Sequence, residues 1–242
     1  MWAALVIAGG VAWLITAGQA RKMGVGPGTM GMAFPLFLGM WAAMMAAMML
    51  PAIGPQAAGE TAGAAGVRAL RIPNGLAFGA GFLVPWAGFG ALAFAALKGT
   101  GRLADSSPGA AKWLGVAIFA VAGLYQLSPL KIRALEHCRM SMHRSESPNF
   151  ASSIAAGARD GAICVGCCWA LMSVLFAVGV MNLLAMGLLA AVIFAEKILP
   201  RPRLIAGLSG AAFLGLALAA VIHPSLLSGL AGADMAMTVG GM

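Results

Sequence analysis

The chain has 242 residues, of which 61% are hydrophobic and 9% charged, with a formal charge of +8 and a mean hydropathy of +0.93. These values exclude an ordinary soluble domain and fit a single integral membrane domain over residues 1–242. The Lys and Arg residues cluster between apolar runs instead of forming a stripe interleaved with aromatics, so the charge reads as membrane topology and no nucleic-acid partner is expected.

Apolar segments near residues 1–18, 33–53, 75–97, 110–129, 160–179, 181–198 and 204–223 are each long enough to cross a hydrocarbon core of roughly 30 Å in a lipid bilayer. They predict an all-α, polytopic transmembrane helix bundle of about seven spans. The first segment is short, is interrupted by Gly9-Gly10, and is followed by Gly18-Gln19-Ala20, which could pass for a signal-peptidase site. It lacks the positive leader of a signal peptide and so reads as a span; six spans remain if it is not one.

The second run holds Met40, Met44, Met45, Met48 and Met49, five of the chain's 17 methionines within ten residues. Thioethers at Met44, Met45, Met48 and Met49 bind Cu(I) weakly and exchange it quickly, which suits a path. Methionine is also an adaptable filler of helix contacts, and for this helix alone packing is the stronger reading. The fourth run ends in Tyr125 and Gln126, with Lys131 just beyond.

Residues 130–159 read as a polar loop, and within it Glu136-His137-Cys138-Arg139-Met140-Ser141-Met142-His143 concentrates imidazole, thiol and thioether donors. A metal-capturing loop has this composition, with His137 and Cys138 as ligands. Arg133, Arg139 and Arg144 oppose a cation there, and no spaced Cys-x-x-Cys pair marks a zinc ribbon.

The fifth run carries Cys164-Val165-Gly166-Cys167-Cys168-Trp169, with Met172 one turn on. At about 100° per residue, Cys164, Cys167, Cys168 and Met172 fall within an arc of roughly 140° on one helix face. Lone intramembrane cysteines usually just pack, but three on one face favour metal or redox use. Soft sulfur selects Cu(I), zinc or iron–sulfur chemistry; one helix offering three sulfurs fits two- or three-coordinate Cu(I) best, with zinc second. A Cys164–Cys167 disulfide near a helix start keeps thiol exchange open.

The sixth run ends in Glu196 and Lys197. With Tyr125, Gln126 and Lys131 they form a set of polar residues at the membrane boundary, where charge is expected to face protein or water. His223 at the far end of the last run reads as a boundary residue. Positive residues concentrate after the second, fourth and sixth runs, among them Arg68, Arg71, Lys131, Arg133, Arg139, Arg201 and Arg203. The positive-inside rule then places the amino terminus and residues 130–159 in the cytoplasm. The cysteines, the Met-rich end of the second run and the Tyr125, Lys131 and Glu196 layer come to one membrane level.

Gly157, Gly161, Cys164, Gly166-Cys167-Cys168-Trp169, Leu171-Met172, Gly179, Met181-Asn182, Met186 and Glu196-Lys197, together with Met44-Met45, Met48-Met49-Leu50-Pro51, Tyr125-Gln126, Pro129-Leu130-Lys131 and Cys138-Arg139, resemble a bacterial family of predicted metal-binding integral membrane proteins. The resemblance covers about residues 40–200 and implies a bacterial cytoplasmic (inner) membrane location, but no reaction. Where that family's pattern often has a further cysteine before Leu135, this chain has Ala134, which weakens a cysteine pair in the capture loop.

The leading expectation is therefore a membrane protein that binds a soft metal, most readily Cu(I), for copper handling or delivery to a copper enzyme or membrane complex. Two alternatives stand beside it. One is an accessory structural subunit of a larger membrane complex; the other is a membrane thiol oxidoreductase with Tyr125, Gln126 and Glu196 lining a pocket. No Walker-type loop, His-Glu-x-x-His or nucleophile elbow occurs, so an enzyme is the less favoured class.

Overall fold

The computed structural model describes residues 2–23, 29, 31–62, 71–140 and 149–230. Among the described residues the chain forms eight α-helices and no strand: α1 (Trp2–Met23), α2 (Phe34–Ala62), α3 (Arg71–Ser106), α4 (Pro108–Leu127), α5 (Pro129–Met140), α6 (Phe150–Val178), α7 (Leu183–Ile198) and α8 (Pro202–Ile222), then a 3-10 turn at Pro224–Leu227. Five of them, not the seven expected, are long and apolar enough to cross a membrane: Phe34–Pro51, Pro73–Leu103, Gly109–Leu127, Phe150–Val178 and Pro202–Ile222. The chain is accordingly a multi-pass membrane protein by helix length and composition. The difference lies at α1 and α7. Helix α7 has 16 residues, about 24 Å at 1.5 Å per residue, which falls short of the hydrocarbon thickness. Helix α1 is formed, but it is not among the five, and several of its side chains lie outside the described residues.

The described residues of the stretch 130–159, read from the sequence as a loop, are largely helical. Ser128 leaves helical geometry with ψ at 147°, Pro129 blocks continuation of α4, and the Ser128 hydroxyl accepts from the Lys131 backbone N–H at 3.1 Å, capping a new helix. Helix α5 buries Lys131, Leu135 and Cys138, spaced i, i+4, i+7, so that one stripe faces the bundle. Asn149 caps α6 by accepting from the Ser152 N–H at 2.8 Å, which starts that helix at Phe150 and not near residue 160. Residues 141–148, with Met142 and His143, lie outside the described residues.

Small residues set the helix contacts. Gly157 and Gly161, one turn apart on α6, lie against the backbone of Phe78 and Phe82 on α3, and Gly81 lies against Ile154; a Cβ at any of the three would run into a main-chain carbonyl. This is close small-residue packing of membrane helices. Pairing of 78 with 157 and 82 with 161 makes α3 and α6 parallel. Trp41 of α2 donates its indole N–H to the Trp86 carbonyl at 3.0 Å, while Phe34, nearer the start of α2, packs on Phe94, later in α3, so α2 runs antiparallel to both.

Candidate metal centre

Two helices build the site. Cys138 on α5 and Cys164 and Cys167 on α6 present sulfurs that all lie within 4.8 Å of one another. All three are buried, with exposures of 3%, 0% and 1%. Cys168 adjoins the group, its Sγ 3.2 Å from that of Cys167, and none of the four cysteines forms a disulfide. A three-thiol cluster of this kind offers soft ligands and has no room for the hydration shell that a hard cation keeps.

The polar boundary residues come together behind the sulfurs. The Lys197 ammonium donates to Cys164 Sγ at 3.1 Å and stands 5.9 Å from the Phe82 ring. Lys131 pairs with Glu196 at 2.7 Å, both side chains at or below 1% exposure, and also donates to the Cys167 carbonyl at 2.6 Å. Gln126 donates from Nε2 to Glu196 at 2.6 Å and to the Ser209 hydroxyl at 2.8 Å. The Tyr125 hydroxyl donates to the Gly166 carbonyl, and its ring meets Trp169 edge-on at 5.1 Å. A buried carboxylate between an ammonium and an amide is a satisfied one, which is the condition for its presence there.

Burial alone would depress the Lys131 ammonium, but electrostatic attraction to Cys168, Glu196 and Cys167 outweighs it and holds the group above the ordinary lysine value. Hydrogen bonding with Cys164 pushes the Cys138 thiol above its ordinary range.

The methionines are inside as well. Met44, Met45 and Met49 are 0% exposed and Met48 3%, with Met172 at 0%, all in the hydrophobic cluster that contains the cysteines. Trp41 of α2 meets Phe176 of α6 with centroids 6.3 Å apart.

His137 does not join the cluster: it is exposed on α5 while its neighbour Cys138 points inward. Helix periodicity separates them by about 100°. Sequence reasoning also passed over three contributors. Arg139, read as opposing a cation, donates to the carbonyls of Glu196, Lys197 and Leu199 at 2.9, 2.7 and 2.9 Å, fastening the end of α7 that carries both charged residues. Ser209 accepts a second hydrogen bond from Gln126 Nε2. Asp160, 4% exposed and one turn before Cys164, pairs with Arg159 at 3.5 Å. No local pattern signalled the role of Arg139, because the carbonyls it reaches end α7, a different helix from its own.

Comparison with known proteins matches a family described as copper chaperone, PpoB2, over residues 38–220. No curated protein and no solved structure matches. The matched span takes in every cysteine, the Met-rich helix and the Glu196-Lys197 pair. The chain belongs to the PpoB2 copper chaperone family.

Proposed function

We infer that this protein holds Cu(I) as cargo at Cys138, Cys164 and Cys167, with Cys168 alongside, and releases it to a copper enzyme at the cytoplasmic membrane of a bacterium. The observation that carries this is the meeting of three buried sulfurs from two separate helices within 4.8 Å. Membership of a copper chaperone family supports copper over zinc, and two- or three-sulfur coordination favours Cu(I) over a metal that demands four ligands.

Each residue then has a task. The thiols bind the cargo, and the Lys197 ammonium at Cys164 balances thiolate charge where no water can do so. The Lys131–Glu196 pair fixes the α6 backbone at Cys167. Met45, Met49 and Met172, buried in the same core as the thiols, supply weaker thioether ligands, so that copper leaves by exchange between soft donors and never as a bare ion in the bilayer.

The test is competition for Cu(I) against a chromophoric chelator, under reducing anaerobic conditions, with the full chain in detergent. Cys138→Ser should weaken binding by at least about tenfold, since it removes a ligand and not merely a supporting group. Affinity unchanged in Cys138→Ser and in a Cys164→Ser, Cys167→Ser double variant would remove the site from these residues.

One observation favours a second reading, thiol redox chemistry: the 3.2 Å approach of the Cys167 and Cys168 sulfurs. It requires their alkylation to change with redox potential in metal-free protein.

A further inference from the structure

Away from the sulfurs, the end of α4, the amphipathic α5 and the start of α8 enclose a cavity of about 510 Å³, lined in part by Gln126, Leu127, Ile132, Arg133, Glu136 and Arg203. The copper reading gives it no task. Its size lies within the range of small-molecule sites. Arg203 holds Glu136 at 2.6 Å and is 73% exposed, so the cavity opens at the surface and this pair cancels in charge. Arg133 is exposed and has no ion-pair or hydrogen-bond partner among the described residues, leaving a net charge of +1.

Gln126 is 1% exposed, and its orientation is fixed because the Glu196 carboxylate requires the Nε2 donor at 2.6 Å. Its buried Oε1 is consequently left without a donor, a costly state for a polar atom and one that a ligand hydroxyl relieves. Leu127 is 50% exposed on the apolar flank, with Leu130 and Leu208, each 64% exposed, nearby on α5 and α8. One guanidinium, one orphaned acceptor and an apolar flank at the end of a membrane span match one kind of molecule.

We propose that this cavity binds the headgroup of a monoanionic phospholipid bearing a free hydroxyl, a glycerol phosphodiester of the phosphatidylglycerol type. Arg133 takes the phosphate, the glycerol hydroxyl approaches Gln126, and the acyl chains descend past Leu127. Basic pockets beside membrane helices recognise anionic headgroups by this combination of charge and apolar contact. The inference is independent of the copper site, since no sulfur takes part.

Native mass spectrometry of the full chain, delipidated and titrated with phosphatidylglycerol or phosphatidylcholine in mixed micelles, tests it. One tightly held phosphatidylglycerol is expected, with affinity falling about tenfold or more in Arg133→Gln, which loses a charge-assisted contact. Arg102→Gln, which removes the same charge at the opposite end of the α4 span, should retain the lipid. Equal retention of phosphatidylcholine, or equal loss in Arg102→Gln, would reduce the binding to general surface attraction and overturn the proposal. Displacement of the lipid by soluble glycerol phosphate at matching concentration would overturn the lipid as its source.

Discussion

Residue by residue, the site depends on charges that only each other can satisfy. Glu196 is held by Lys131 at 2.7 Å and by Gln126 at 2.6 Å, so Glu196→Ala strands a buried ammonium and should cost about 3–5 kcal/mol. A Lys131→Met, Glu196→Leu double variant should be markedly milder, because no unpaired charge remains; thermal unfolding in detergent compares the two. If the double variant is as damaged as the single, charge pairing is not what Glu196 contributes. The sequence made Glu196, Lys131 and Lys197 conspicuous as charges at the membrane boundary, but carries no mark of which of them pair. Neighbours in sequence diverge on a helix: Glu196 turns to Lys131 while Lys197 turns to Cys164. That choice depends on which helix stands opposite, which no local pattern records. Cys138 was legible as a thiol, but its place beside Cys164 follows from the Ser128-Pro129 turn that aims α5 inward.

Helix contacts explain why the sulfurs meet. Gly157 and Gly161 let α6 approach α3 to backbone distance, and α6 carries most of the cluster. Gly157→Leu should therefore destabilise the bundle by at least about 1–3 kcal/mol through overpacking and lower copper capacity with it. Gly166→Ala, on the same helix but with open space around its Cβ position, should leave both unchanged. Detergent-extractable yield and bound copper per chain check the pair; equal damage from the two would show that close approach at Gly157 is not what the bundle depends on. The long apolar helices were readable from hydropathy because the bilayer requires about 20 apolar residues for each crossing. Helix α5 was not, because its Lys, Arg, Glu and His residues give it the polarity of a loop. Only the spacing of Lys131, Leu135 and Cys138 betrays its buried stripe. The 16-residue α7 shows the opposite case, an apolar run that is too short for a span and serves to carry Glu196 and Lys197 to the cluster.

Taken as a whole, the molecule is a membrane bundle with its soft and charged residues gathered at one end, and sidedness decides where copper is taken up or released. Positive residues flank that end, so Met140→Cys, at an exposed position on α5, should react with a membrane-impermeant maleimide in inverted vesicles and not in intact cells. Labelling only from outside would invert the topology and move the exchange site to the other leaflet. The membrane bundle and the buried cysteine face of α6 were legible in composition and periodicity. The count of spans and the participation of α5 were not, since both depend on how helices pair in space. Copper K-edge X-ray absorption of the Cu(I)-loaded full chain tests the central claim most directly. It should show sulfur alone around copper, in roughly two- or three-fold coordination, with that signal lost in the Cys138→Ser, Cys164→Ser, Cys167→Ser triple variant. A shell dominated by nitrogen or oxygen, or a sulfur shell unchanged in the triple variant, would contradict it.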